Sequence, residues 1–353
     1  MVNAKQGYIA IGLVSGALVA YFVQRPNDEG PIAKPEPLAN TVVAKEPPHP
    51  SDPSTSPSAP LGAPPNVDAR GVPVDAGRGL DAGNAQNVPA VTFVGAGDIA
   101  GCGVPGAQRT AKLLDGITGT VFTLGDNAYY EGTDSDYAQC YDPFWGRHKA
   151  RTRPVPGNHD YLTKGAAGYF NYYGFAAGDP SKGYYSYDLG AWHILSLNSN
   201  CGDIGGCDES SQQFAWVKKE LASSVNKKCV MALWHHPRFT TGPHANATSM
   251  QAIWAWLFEN NVDVVLTGHD HNYQRWARLD ASGNADSVRG IRSFVVGTGG
   301  KDFYPAQRKP GVEVLEDNTW GVLKLSLKAD GYDWEFVPEA GKTFTDKGSE
   351  KCH

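Results

Sequence analysis

The sequence has little positive charge to spare. Lysine and arginine total 31 against 37 aspartates and glutamates, a formal net charge of −6. Without a basic excess the chain has no electrostatic footprint for nucleic acid. Its cysteines never form a Cys-x-x-Cys pair, which argues against a zinc ribbon. None precedes Cys102, which excludes a lipid-modified N-terminal cysteine. No internal repeat is evident. Between Pro26 and Pro89 there is no Phe, Trp, Tyr or Cys, while 14 of the 24 prolines fall there. Such a stretch cannot bury enough apolar surface to offset its ordering entropy, so residues 26–88 read as a disordered, partly extended linker.

One long apolar run is present. Lys5 precedes seventeen uncharged residues from Gly7 to Val23, and Gln24-Arg25-Pro26 ends the run. A bilayer span takes ~17–25 residues and a signal-peptide core ~7–15, so residues 1–25 read as a signal-anchor or a signal peptide. Cleavage after Ala20 would put Leu18 where a small residue is needed, which favours the uncleaved anchor. Lys5 orients such an anchor with its N-terminus inside. The rest of the chain then lies outside the cytoplasmic membrane, in the periplasm or the extracellular space.

An even number of cysteines beyond such a segment points to disulfides. Cys201 and Cys207 flank a short Gly-rich loop that can close on itself. Cys102 and Cys140 each follow one of the strands described next, and Cys229 with Cys352 is what remains. Six cysteines allow fifteen pairings, so only the first carries an argument of its own.

The chemistry gathers in five short motifs, each placed after an apolar, β-rich run. Val91-Thr92-Phe93-Val94 leads to Gly97-Asp98-Ile99-Ala100, and Val121-Phe122-Thr123-Leu124 leads to Gly125-Asp126-Asn127-Ala128-Tyr129. Thr152 to Pro156 leads to Gly157-Asn158-His159-Asp160, Val230 to Leu233 leads to Trp234-His235-His236-Pro237, and Val264 to Thr267 leads to Gly268-His269-Asp270-His271. Ligands bind at the carboxyl ends of strands in α/β sheets. Five strand ends therefore deliver Asp, Asn and His side chains toward one place, and those donors suit first-row divalent or trivalent metals rather than soft ones.

In this order the motifs resemble those of the metallophosphoesterases, the calcineurin-like phosphoesterase superfamily, and within it the purple acid phosphatase branch. The resemblance covers roughly residues 89–340. It implies an α/β fold, a four-layer α/β/β/α sandwich of two mixed β-sheets flanked by helices, over a catalytic domain at 89–353. It also implies a dinuclear centre of Fe(III) plus a divalent Fe, Zn or Mn, with a metal-bound hydroxide as nucleophile and a small phosphorylated substrate. Many relatives carry a histidine two residues after the first aspartate, where this chain has Ala100. Tyr129 answers the deficit, since a phenolate prefers Fe(III). Carried over, Asp98, Asp126, Tyr129 and His271 hold the Fe(III), and Asp126, Asn158, His235 and His269 the second metal. His235 is chosen over His236 because it stands two residues before Pro237, although the extra imidazole leaves both open. His159 and His244 match positions that contact the phosphoryl group or the leaving oxygen. Asp160 and Asp270 are read as partners that orient ligating imidazoles. Hydrolysis of phosphate monoesters is the leading expectation. A phosphodiesterase with the same metals is the alternative, and a non-catalytic, membrane-tethered binding module would have lost ligands.

Between the motifs, residues 107–114 read as a helix that returns the chain to the next strand. Gly183 to Leu197 reads as a hairpin turning at Leu189-Gly190, with His193 structural. Residues 210–223 and 249–260 read as amphipathic helices, and 131–150 as an irregular segment packed over the core. After Asn272 the reading is nearly all strand, at 273–279, 291–296, 321–327 and 332–337, with Asp330-Gly331 as a hairpin turn. Arg275 reads as a partner in an internal salt bridge.

Overall fold

The computed structural model describes Ala10–Val14, Ala17–Tyr21 and residues 89–353. β1 (Ala10–Val14) and β2 (Ala17–Tyr21) pair antiparallel, with Ala10 opposite Tyr21. The linker and the remainder of the expected signal or anchor segment lie outside the described residues. Among the described residues no helix is long and apolar enough to cross a membrane.

From residue 89 onward the chain forms two sheets. The first takes the order β15-β14-β13-β3-β4-β5. It comprises β3 (Val91–Ala96), β4 (Thr120–Thr123), β5 (Thr152–Arg153), β13 (Gly321–Leu327), β14 (Gly331–Pro338) and β15 (Lys347–Lys351). β3, β4 and β5 run parallel, and the other three join antiparallel. The second sheet has the order β12-β10-β11-β9-β8-β7-β6. Its members are β6 (Tyr185–Leu189), β7 (Trp192–Ser196), β8 (Cys229–Leu233), β9 (Val264–Thr267), β10 (Tyr273–Leu279), β11 (Ile291–Val296) and β12 (Val312–Glu316). β7, β8, β9 and β11 are mutually parallel, and every one of their residues is buried. Burial on both faces explains why these strands read as continuous apolar runs rather than as alternating ones.

Alternation is still present, between two different cores. Met231, Leu233, Val264 and Leu266 point inward with Phe93, Phe122 and Leu323 of the facing sheet. Val230, Ala232 and Val265 point outward, against Phe214, Val217 and Leu221 of the helix Gln212–Ser223 and Ile253, Trp254 and Leu257 of the helix Gln251–Glu259. On the first sheet Ala107, Ala111 and Leu114 of the helix Gly106–Asp115 join the core. The result is two mixed sheets flanked by helices, as the resemblance implies. Ser211 caps the helix Gln212–Ser223 by accepting the Phe214 N–H, which sets its start one to two residues later than the periodicity suggests.

Contacts distant in sequence tie the sheets together. Cys229 at the start of β8 bonds Cys352 just after β15, 123 residues on. Arg292 of β11 pairs with Glu350 of β15, and the Trp192 indole donates to the Lys328 carbonyl at 2.9 Å. The other disulfides are Cys102–Cys140 and Cys201–Cys207, so all three expected pairings are present.

Two regions depart from expectation. The segment at 131–150 is helical. Thr133 caps Asp134–Asp136 with a capping box, a π-helical turn follows at Tyr137–Tyr141, and a 3₁₀ helix runs over Trp145–Arg151. Turns of these periods leave no 3.6-residue apolar pattern to read. β12 and β15 are also additional strands. β15 alternates Lys, Ser and Lys with little apolar content, as befits a protected edge strand held by backbone pairing to β14.

Candidate metal centre

The five motif loops leave their strands at the same rim. Neighbouring β3, β4 and β5 carry Asp98, Asp126 and Asn158 beyond their carboxyl ends, while β8 and β9 of the facing sheet carry His235, His269 and His271. Asp98, Asp126 and His269 have positive φ, at 60°, 49° and 71°. Asp and His are among the residues that tolerate this region, and such strain collects at functional sites. Close approach of the loops also demands glycine. A Cβ on Gly125, whose φ is +84°, would stand 2.5 Å from Nδ1 of His235.

The side chains form two groups that share Asp126. In the first, the Tyr129 hydroxyl lies 3.2 Å from Asp98 Oδ1, 3.1 Å from Asp126 Oδ2 and 3.2 Å from His271 Nε2. In the second, His235 Nε2 lies 3.3 Å from Asp126 Oδ2, 3.0 Å from Asn158 Oδ1 and 3.2 Å from His269 Nδ1. All seven residues expected as ligands are thus brought together. Asp98, Asp126, Tyr129, His235 and His271 are buried, and Asn158 and His269 are half-buried.

Two imidazoles are aimed by bonds on their far side. His235 Nδ1 donates to the Leu124 carbonyl at 2.7 Å, and His271 Nδ1 to Asp302 at 2.8 Å, so each presents Nε2 inward. The Tyr304 ring stacks on His271 at 3.9 Å. His236 stands at the same rim, its ring 4.9 Å from that of His235 and 4.5 Å from that of His269, but its Nδ1 is bonded to the Ser199 hydroxyl at 2.8 Å.

The electrostatics of these donors favour a cation. Burial first, then the charges of Asp126 and Asp98, push the Tyr129 phenol well above its ordinary value. A phenolate here needs a positive ion to offset the burial and the two carboxylates. Burial would raise Asp126, but His235 and His159 outweigh it and hold the carboxyl below the usual range. Burial, followed by the neighbouring His235, His236 and His244, drives His269 down, which keeps its imidazole neutral as a ligand must be. His235 goes the other way: burial opposes charging, but Asp126 lifts it to about 9. Crowded oxygen and nitrogen donors of this kind fit a pair of first-row metal ions.

The remaining site residues fall around this centre. His159 packs against the Tyr129 ring at 4.5 Å and bonds the Tyr130 carbonyl through Nδ1 at 2.6 Å, with Nε2 3.9 Å from Asp126. His244 lies over the His269 ring at 4.0 Å, its Nδ1 donating to Asp270 at 2.8 Å. Asp270 therefore aims His244, not a ligating imidazole. Asp160 likewise touches none: it accepts from Gly157 N, the Asn127 amide and the Tyr137 hydroxyl, at 2.8, 3.0 and 2.7 Å, and so shapes the loop that carries Asn158. Arg275 is held by Asp346 and Glu313 in an internal ion-pair network, and His193 bonds Asp188 away from the site. Asp302 and Tyr304 were missed in the sequence. They lie about thirty residues past the last motif, and only the neighbouring positions of β9 and β11 return them to it.

Known proteins show the same pattern. A 30% identity over 206 residues relates the chain to purple acid phosphatase 15 of Arabidopsis thaliana, covering 48% of this chain and 38% of that one. An uncharacterized protein of Mycobacterium tuberculosis strain H37Rv is 27% identical over 230 residues, covering 48% of this chain and 43% of the other. The chain thus spans less than half the length of these relatives. Among solved structures, a purple acid phosphatase from yellow lupin (Lupinus luteus) seeds superposes with a TM-score of 0.64 at 18% identity, over 75% of this chain and 54% of that one. The family model for calcineurin-like phosphoesterases matches residues 91–273, from the first motif strand to just past the last motif, and the chain belongs to that family.

Proposed function

We propose that the chain hydrolyses phosphate monoesters at a dinuclear centre. Asp98, Asp126, Tyr129 and His271 hold Fe(III) in this reading, and Asp126, Asn158, His235 and His269 hold a divalent Fe, Zn or Mn. The observation that carries it is the position of Asp126, whose Oδ2 is 3.1 Å from the Tyr129 hydroxyl and 3.3 Å from His235 Nε2, between the two donor groups. When bound, such a pair supplies Lewis-acid polarisation of a phosphoryl oxygen and an acidified water. No side-chain nucleophile is then required.

The protein's own part is placement and proton handling. His159 is fixed through Nδ1, and its half-buried ring is placed to meet a phosphoryl oxygen with Nε2. His244, with 37% of its side chain exposed, keeps Nδ1 on Asp270 and has Nε2 free to hold or give a proton at the leaving oxygen. Three disulfides suit an oxidising compartment. We place the domain outside the cytoplasmic membrane, led or held there by residues 1–25.

The test combines metal analysis with a substrate panel. The purified protein should carry two metal ions per chain, one of them iron, and a purple or pink colour that Tyr129→Phe abolishes. It should cleave p-nitrophenyl phosphate faster than bis-p-nitrophenyl phosphate, with inorganic phosphate inhibiting. Faster cleavage of the diester would move the assignment to a phosphodiesterase. A colourless protein holding only zinc or manganese would overturn the iron.

A further inference from the structure

A cavity of about 460 Å³ opens beside the candidate metal centre, with His236 in its wall. The His236 ring is 4.5 Å from that of His269 and 4.9 Å from that of His235. A phosphoryl group at the centre would therefore have this cavity next to it. Part of its lining comes from the loop closed by Cys201–Cys207, and part from residues 245–249. A disulfide-closed loop and a 3₁₀ turn at Thr248–Met250 make both parts preformed rather than induced.

Its lining is polar and almost uncharged. Ser199, Asn200, His236, Asn246, Thr248 and Ser249 face it, with Asp203 the one ionisable carboxylate. Neither Lys nor Arg lines it, so a second phosphate or carboxylate on the substrate would find no cation and would meet Asp203. Neither Phe, Tyr nor Trp lines it, so a nucleobase or an aryl group would find no stacking platform from these residues. Free hydrogen-bonding groups are present in both senses. The Ser199 hydroxyl accepts the His236 backbone N–H and is also bonded to Nδ1, which leaves Nε2 as the free hydrogen-bonding atom of that ring. Asn246 spends Oδ1 on the Thr240 N–H and keeps its amide nitrogen to donate. Asn200 spends its amide nitrogen on Asn198 and keeps Oδ1 to accept. Hydroxyl groups, which donate and accept together, match this alternation of fixed donors and acceptors.

We infer that this cavity is the leaving-group subsite, and that it selects uncharged, hydroxyl-rich alcohols: the substrate class is the phosphate monoester of a sugar or polyol. The inference rests on the phosphatase reading above. A site built to bond hydroxyls rejects an analogue that lacks them, because its own polar groups are then left unpaired.

The experiment compares glucose 6-phosphate and glycerol phosphate with hexyl phosphate, fructose 1,6-bisphosphate and p-nitrophenyl phosphate. For the intact protein, kcat/KM for glucose 6-phosphate should exceed that for hexyl phosphate at least about tenfold, and the bisphosphate should be poorer than the sugar monophosphate. Thr248→Trp and, independently, Ser249→Trp fill the cavity from exposed positions that make no hydrogen bond to the centre. Either should erase the sugar preference, mainly through a raised KM for glucose 6-phosphate, and bring its kcat/KM to within about threefold of that for hexyl phosphate. Calorimetric titration with a non-hydrolysable phosphonate analogue of glucose 6-phosphate gives a readout without turnover. It should bind the parent at least about tenfold tighter than methylphosphonate, and both tryptophan variants no tighter. Turnover of p-nitrophenyl phosphate without any sugar preference, or an equal loss on every substrate in both variants, overturns the subsite alone. Failure to cleave any of the esters overturns the phosphatase reading and the subsite with it.

Discussion

Gly157 lies so close to Asp126 that a Cβ built on it would stand 2.1 Å from the Asp126 carboxylate oxygen Oδ1. That oxygen accepts the His159 backbone N–H at 2.8 Å, so the loop carrying Asn158 is clamped onto the residue shared by both donor groups. Gly157→Ala must push the loop away from the carboxylate. The expected loss is ~10–100-fold in metal affinity or activity, the usual scale when support for a ligand is disturbed. Metal content and turnover, measured beside a circular dichroism spectrum that stays folded, check this.

Removal of a single donor from the second group separates the two halves of the centre. Asn158→Ala and His269→Ala should each lower the content of the divalent metal, leave most of the iron and its colour, and nearly abolish turnover. Elemental analysis of the purified variants reads both metals at once. Full activity after Asn158→Ala would refute the two-metal assignment.

His244 and Asp270 should act as one unit. A poor leaving group needs a proton as it departs, and general acids of this kind contribute ~10²–10⁴-fold. His244→Ala should therefore slow an alkyl phosphate by that order and p-nitrophenyl phosphate far less, with both metals retained. Asp270→Ala frees the imidazole that it now aims at 2.8 Å, and should show the same leaving-group pattern at smaller size. A loss equal on all substrates would mean that Asp270 only supports the loop.

Acid should loosen the join between the sheets. Burial would raise Glu350, but the Arg292 guanidinium and the Tyr332 hydroxyl outweigh it and hold its carboxyl below the usual value. A carboxyl with a depressed folded-state pKa stabilises the fold above its unfolded value of ~4.3, and that stability is lost as pH falls through the lower, folded value. Glu350 keeps 19% of its side chain in solvent. Screening then limits the contribution to about 1 kcal/mol. Thermal midpoints should therefore fall below about pH 4.5, and Glu350→Gln should lower the midpoint at neutral pH while flattening that acid limb. An unchanged acid limb in the variant would show that other carboxylates govern it.

How much of this could be read beforehand depends on where each signal sits in the chain. The motif loops were legible because each is a local pattern: an apolar strand, a glycine that permits the turn, then the donor. Tyr129 could be read from its three-residue offset to Asp126, and the Cys201–Cys207 pair from its six-residue spacing. The helices at 131–151 were not legible, because π and 3₁₀ turns lack the apolar period that marks an α-helix. β15 was not legible either, since its residues carry no strand pattern and it forms by pairing with β14.

By itself the sequence determined which donors the strand ends carry and the order in which they are delivered, because these follow from residue type and from patterns a few residues long. The two-sheet class came through the family resemblance. Only the tertiary structure decided that His235 rather than His236 meets Asp126 and Asn158, that Asp302 rather than Asp160 or Asp270 aims His271, and that a polar cavity lies beside His236. Each of these depends on parts of the chain far apart in sequence being set side by side. His235 and His236 are neighbours of identical chemistry, and what separates them is the Leu124 carbonyl 111 residues away for one and Ser199, 37 residues away, for the other.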